Sequence, residues 1–117
     1  MSALRPGSLV TISFPFTDLT AIKRRPALVL IVQGEDLVVC GVTSRISRRR
    51  DAISLDDRGM AEGRLPARSE VRPLKLFTIH RALVHSRVGR VSDNIFRRVV
   101  ALLVASLRRG QGSGAST

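Results

Sequence analysis

From Val10 to Phe14 apolar and polar positions alternate, which predicts a strand over Leu9–Phe14 following a turn at Pro6-Gly7. A near-continuous apolar run at Ala27–Val32, a short turn at Gln33-Gly34-Glu35-Asp36 and a second run at Leu37–Thr43 predict a hairpin of buried strands. Residues 15–24 read as a loop, Ser47–Asp51 as a charged tip, and Ala52–Leu55 as a short strand. Residues 56–68, with Gly59, Gly63 and Pro66, read as a long surface loop. Glu70–His80 is extended again, and Pro73 within it demands a sheet edge or a bend. Shorter strands are expected near Leu83-Val84 and Val88–Val91.

Only the C-terminal part has helical spacing. Ser92 or Asp93 supplies an N-cap, and Ile95, Val99, Leu102, Leu103 and Ser106 recur at helical intervals to Leu107. Arg108 and Arg109 complement the helix dipole, and Gly110 is expected to end the helix. Short strands with one terminal helix predict a mainly β (α+β) domain: a small, mostly antiparallel barrel capped by the helix. The domain is expected over residues 1–109, with 110–117 as a disordered Gly/Ser tail.

Composition narrows the function. Twenty Lys and Arg against nine Asp and Glu give a net charge of +11, a field that favours nucleic acid, an anionic membrane or an acidic protein. Eighteen of the twenty cations are arginine, suited to bidentate phosphate contacts. Their scatter along the chain argues against a membrane-binding amphipathic helix. No apolar run approaches the roughly 20 residues of a membrane span, and the N-terminus lacks the apolar core of a signal peptide, so the cytoplasm is expected. The single cysteine, Cys40, lies in a predicted buried strand and reads as a core residue.

Candidate chemistry is sparse. No paired-cysteine or HExxH spacing points to a metal, and no glycine-rich phosphate loop precedes a helix, so no cofactor is expected. The two histidines, His80 and His85, read as structural or exposed. In Lys23-Arg24-Arg25-Pro26 the proline restrains Arg25 toward extended geometry, which places its guanidinium at a loop–strand junction facing the open side, either as a fixed phosphate-binding charge or as a solvated loop charge before an ordinary strand. Thr43-Ser44 closes a strand, and Ser69 and Arg72 lie near the start of a later one. Neighbouring strand ends in a small barrel meet in space. An arginine, a hydroxyl and further cations around one phosphate suit ribonucleolysis by a 2′-hydroxyl on its own phosphorus. Hydroxyls at strand ends also commonly cap turns, and that reading of Thr43-Ser44 stands beside the first. Phe16 is the one aromatic residue placed for base stacking, since Phe14 and Phe96 are better used in the core.

The segments Pro6–Val10, Phe14–Asp18, Arg24–Leu30, Val42–Ser44, Leu65–Arg72, Lys75–Ile79 and Val88–Val91 occur in an order and spacing that resembles the MazF/PemK family of toxin endoribonucleases. The resemblance implies an SH3-like antiparallel β-barrel with a C-terminal helix, usually a homodimer. It implies metal-independent, sequence-specific cleavage of single-stranded RNA that inhibits translation and growth. Arg25 and Thr43 match the residues that carry the chemistry in the family, and Ser69 and Arg72 match positions near that site in some members. Phe16, Lys23, Arg24, Ser44, Arg45 and Lys75 complete the expected RNA-binding set. Leu74 stands where some members carry an acid, so a carboxylate base there is absent.

A cognate acidic antitoxin, lying across the RNA groove, is the further partner implied, and a +11 chain suits it. Two alternatives stay open on sequence. One is a non-enzymatic barrel toxin or binding module that inhibits a DNA-handling enzyme, and the other is a relative that has lost activity.

Overall fold

The computed structural model describes residues 4–15 and 22–113. Seven strands run in chain order as β1 (Ser8–Pro15), β2 (Ile22–Gln33), β3 (Asp36–Thr43), β4 (Ile53–Leu55), β5 (Met60–Gly63), β6 (Ser69–His80) and β7 (Val84–Val91). One helix, α1 (Asp93–Ser113), follows. The strands form one antiparallel sheet in the order β4-β6-β3-β2-β1-β7-β5, curled into a half-barrel.

Both faces of the curled sheet are covered, which explains the near-continuous apolar runs of β2 and β3. Leu9, Leu28, Leu30, Cys40, Val42, Ile53, Leu55 and Val71 turn to one face, where Ile95 and Val99 of α1 pack on them. Val10, Ile12, Ala27, Val29, Leu37, Val39 and Ile79 turn to the other and fill the inside of the curl. A register slip at Leu30, between Val29↔Val39 and Ile31↔Val38, leaves Ile31 50% exposed and turns Val32 toward the face of Val29.

The strands run beyond the sequence-based boundaries in informative places. β2 begins at Ile22, so Arg25 lies within a strand, opposite Ile12 of β1, and not at a loop–strand junction. Pairing to β1 holds the cationic run extended although it has no apolar pattern. Met60–Gly63, expected in a loop, forms β5 on β7. Gly63 and Gly89 face each other there so closely that a Cβ on either would strike the backbone of the partner strand. Pro73 takes the bend: β6 pairs Arg72 with Gly41 and then Leu76 with Cys40, leaving residues 73–75 as a bulge.

Ser92 caps α1, its hydroxyl accepting from Ile95 N–H at 3.2 Å. The helix continues through Gly110 to Ser113. The expected tail residues 114–117 lie outside the described residues.

Candidate nucleic-acid interface

β2 pairs with β3 only as far as Ala27↔Gly41. Beyond that point residues 22–26 of β2 stay with β1, while Val42 and Thr43 of β3 stay with β6. Pro26, which has no N–H to donate, sits where the two ladders part. The opening between them is a cavity of about 780 Å³.

The alternation of side chains decides what fills it. Val29, Ala27, Arg25 and Lys23 are spaced by two along β2, and Val39, Gly41 and Thr43 along β3. Each series begins in the apolar interior and ends on the cavity wall, so one face is core at one end and site at the other. Lys23, Arg25, Thr43, Ser44, Arg45, Arg72, Lys75 and Phe77 line the cavity, together with Ile12, Pro26, Ala27, Gly41 and Val42. Among the described residues that lining holds five cations and no carboxylate. The bulge at 73–75 carries Lys75 across β3, its methylenes resting 3.5–3.6 Å from where a Cβ on Gly41 would be. Thr43 Oγ1 accepts from Arg45 N–H at 3.1 Å, which directs the hydroxyl proton elsewhere.

Glu70 lies beneath this wall, opposite Thr43 on β3 and Ser54 on β4. It is only 3% exposed. Its Oε1 accepts from Ser47 N–H at 2.9 Å and Arg48 N–H at 3.0 Å, and its Oε2 from Ser47 Oγ at 3.0 Å. Arg72 Nη2 lies 3.9 Å from Oε2 and donates to Ser47 Oγ at 3.2 Å. Burial pushes the Glu70 carboxyl up, but the bonds from Arg48 and Ser47 and the charge of Arg72 bring it below the ordinary value. A carboxylate held ionised with its oxygens so engaged is a poor proton acceptor.

Seven of the ten sequence-predicted site residues, from β2, β3, β6 and the segment after β3, meet at this cavity: Lys23, Arg25, Thr43, Ser44, Arg45, Arg72 and Lys75. Arg24 and Ser69 do not line it. Arg24 alternates to the other side of β2. Ser69, 5% exposed, donates to Ala67 O at 3.0 Å and pairs with Leu55 of the helix-side core. Phe16 lies outside the described residues. Sequence reading missed Phe77, a 40% exposed aromatic in the lining, and Glu70. Parity was the available signal: residues 70 and 72 share a strand face, whereas 69 and 72 cannot. The histidines lie elsewhere. His80 Nδ1 accepts from Ala82 N–H at 3.0 Å at the end of β6, and His85 is exposed on β7.

A Deinococcus radiodurans MazE–MazF structure superposes with a TM-score of 0.75 at 19% identity, covering 92% of this chain and 97% of that one. A mycobacterial endoribonuclease in complex with its cognate antitoxin gives 0.71 at 14% identity, covering 90% and 95%. The Mycobacterium tuberculosis toxin MazF-mt6 gives 0.64 at 16% identity, covering 85% and 93%. At these identities the likeness is one of fold. No curated protein sequence matches the chain. The model of the PemK-like, MazF-like toxins of type II toxin–antitoxin systems matches residues 5–107. With nearly the whole described chain inside that match and the half-barrel shared, the protein belongs to the PemK-like, MazF-like toxin family.

Proposed function

We propose that the chain is a toxin endoribonuclease that cuts single-stranded RNA without a metal ion, and so blocks translation and growth. The observation that carries the reading is the shared cavity: Arg25 from β2 and Thr43 from β3 line one cation-rich opening, with no carboxylate among the described residues of its lining. In the step proposed, the 2′-hydroxyl gives its proton to solvent as its oxygen forms a bond to phosphorus, and the bond to the 5′-oxygen breaks as that oxygen takes a proton from solvent, leaving a cyclic phosphate and a 5′-hydroxyl. Negative charge grows on the phosphoryl oxygens, and the Arg25 guanidinium stabilises it there. The Thr43 hydroxyl, its lone pair already engaged by Arg45 N–H, donates to the phosphate and positions it. Arginine and threonine are poor proton acceptors, so their contribution is electrostatic and geometric. Lys23, Ser44, Arg45, Arg72 and Lys75 hold the flanking phosphates.

Two partners accompany this reading. A cognate acidic antitoxin would occupy the same cations as RNA, and the net charge of +11 supports it. A second copy of the chain is supported by the exposed apolar stripe of Val100, Val104 and Leu107 along α1, with Ile31 and Leu76 exposed on the sheet.

The purified protein should cut single-stranded RNA in EDTA. Arg25→Ala and Thr43→Ala should keep the wild-type circular dichroism spectrum and lose activity by about 10²–10³-fold. Equal cutting by Arg25→Ala rejects the site. A wild type that cuts no RNA favours a toxin acting by protein contact.

A further inference from the structure

The segment between β3 and β4, residues 44–52, carries Arg45, Arg48, Arg49 and Arg50 and is exposed along 44–50. The segment is crowded with like charge, and its large apolar side chain, Ile46, is 42% exposed. Yet two successive backbone N–H groups of its middle, from Ser47 and Arg48, converge on one buried carboxylate oxygen. Arg48 adopts a left-handed backbone with φ of 56°, a conformation that a non-glycine residue holds only when its surroundings enforce it. The amide of that residue donates to Glu70 at 3.0 Å, and the position of Glu70 is itself set by strand pairing on both sides.

We propose that Glu70 is a positioning residue for RNA binding: from beneath the cavity wall it fixes the 44–52 segment and, through the Ser47 hydroxyl, the direction of Arg72. The inference rests on the ribonuclease reading for its substrate but not for its geometry. Ser47 Oγ is the hinge of the arrangement, donating to Glu70 and accepting from Arg72. The Nε–H of Arg72 is buried and has no hydrogen-bond partner among the described residues, so the guanidinium depends on that one short contact for its orientation. A phosphate in the cavity would then meet Arg72 and Arg45 already in place, with less side-chain and backbone freedom to lose on binding.

Three variants test it. Glu70→Leu removes every acceptor at similar volume. It should raise KM for a single-stranded RNA about tenfold or more, with kcat within about threefold and a broader set of cut sites. Glu70→Gln keeps one oxygen for the two N–H groups and should recover KM to within about threefold of wild type. Ser47→Ala, at an exposed position where folding is not at risk, should raise KM by about threefold. Amide hydrogen exchange reads the anchor directly. Ser47 and Arg48 should be protected in the wild type and the glutamine variant, and unprotected with leucine.

The proposal is overturned if these two amides exchange freely in the wild type, if Glu70→Gln is as impaired as Glu70→Leu, or if KM is unmoved in Glu70→Leu. If the leucine variant does not fold, an unchanged KM in Ser47→Ala overturns it. If the wild type cuts no RNA, the ribonuclease reading fails by itself. The same shifts are then expected in the affinity for a 2′-O-methyl oligonucleotide, and their absence overturns the anchor.

Discussion

Replacing Lys75 by methionine keeps the apolar stem that lies over Gly41 and removes one charge from the cavity wall. The consequence should appear in the salt dependence of RNA binding more clearly than in affinity at one condition. Lys23, Arg25, Arg45 and Lys75 are counted as one phosphate contact each, and Arg72, which orients a phosphate with its charge offset by Glu70 at 3.9 Å, adds nothing to the salt dependence. Four contacts on a single strand give a slope of log K against log salt of about −2.8, at about −0.7 per contact. Raising potassium chloride from about 50 to about 200 mM should then weaken binding by about fifty-fold. Lys75→Met should flatten the slope to about −2.1, so that the same salt change weakens binding by only about twenty-fold. Fluorescence anisotropy with a 2′-O-methyl oligonucleotide, which lacks the attacking hydroxyl, measures both slopes without cleavage. A wild-type slope near zero, or an unchanged slope in Lys75→Met, would refute the placing of phosphates along this wall.

Other consequences concern stability and reactivity. Leu28→Ala, at a fully buried position at the centre of the helix-side core, should cost about 2–5 kcal/mol, read as a lowered urea midpoint at unchanged slope. Burial pushes the Cys40 thiol up to about 12. At pH 8 its thiolate fraction is about one in ten thousand, and iodoacetamide should label it only after unfolding. Glu62 receives hydrogen bonds from Arg87 at 2.9 Å and Arg90 at 3.3 Å, which hold its carboxyl below the ordinary 4.5. The unfolded chain therefore binds its proton first, so this contribution is present above about pH 4.5 and is lost as pH falls through the lower folded value. Glu62→Gln should lower stability at pH 7 and flatten the acid limb of thermal midpoint against pH, and an unchanged acid limb would show that the pair contributes nothing.

Much of this architecture was legible before any coordinates. The runs Ala27–Val32 and Leu37–Thr43, with a turn between them, predicted a buried hairpin, and Ser92 or Asp93 before a spaced apolar series predicted the start of a helix. Cys40 in the core followed from the same pattern. Local periodicity carries these features because each depends on near neighbours in the chain. The cationic run 23–25 and the Met-Ala-Glu-Gly stretch 60–63 carry no such periodicity. Both are strands because β1 and β7 pair with them, and a partner strand is not written in the segment it holds.

The candidate site divides in the same way. Residue type and order, helped by family resemblance, singled out Arg25, Thr43, Arg72 and Lys75, since fixed positive charge and a hydroxyl are what a phosphate demands. Which of them meet was settled by where β2 and β3 part company, a consequence of two competing ladders and of Pro26 between them. Strand parity then excluded Ser69 and Arg24 from the lining and brought Glu70 beneath it, because a side chain one position along a strand faces the other way. Candidate residues could be named from composition, order and resemblance, whereas their convergence required the long-range pairing that only the folded sheet supplies.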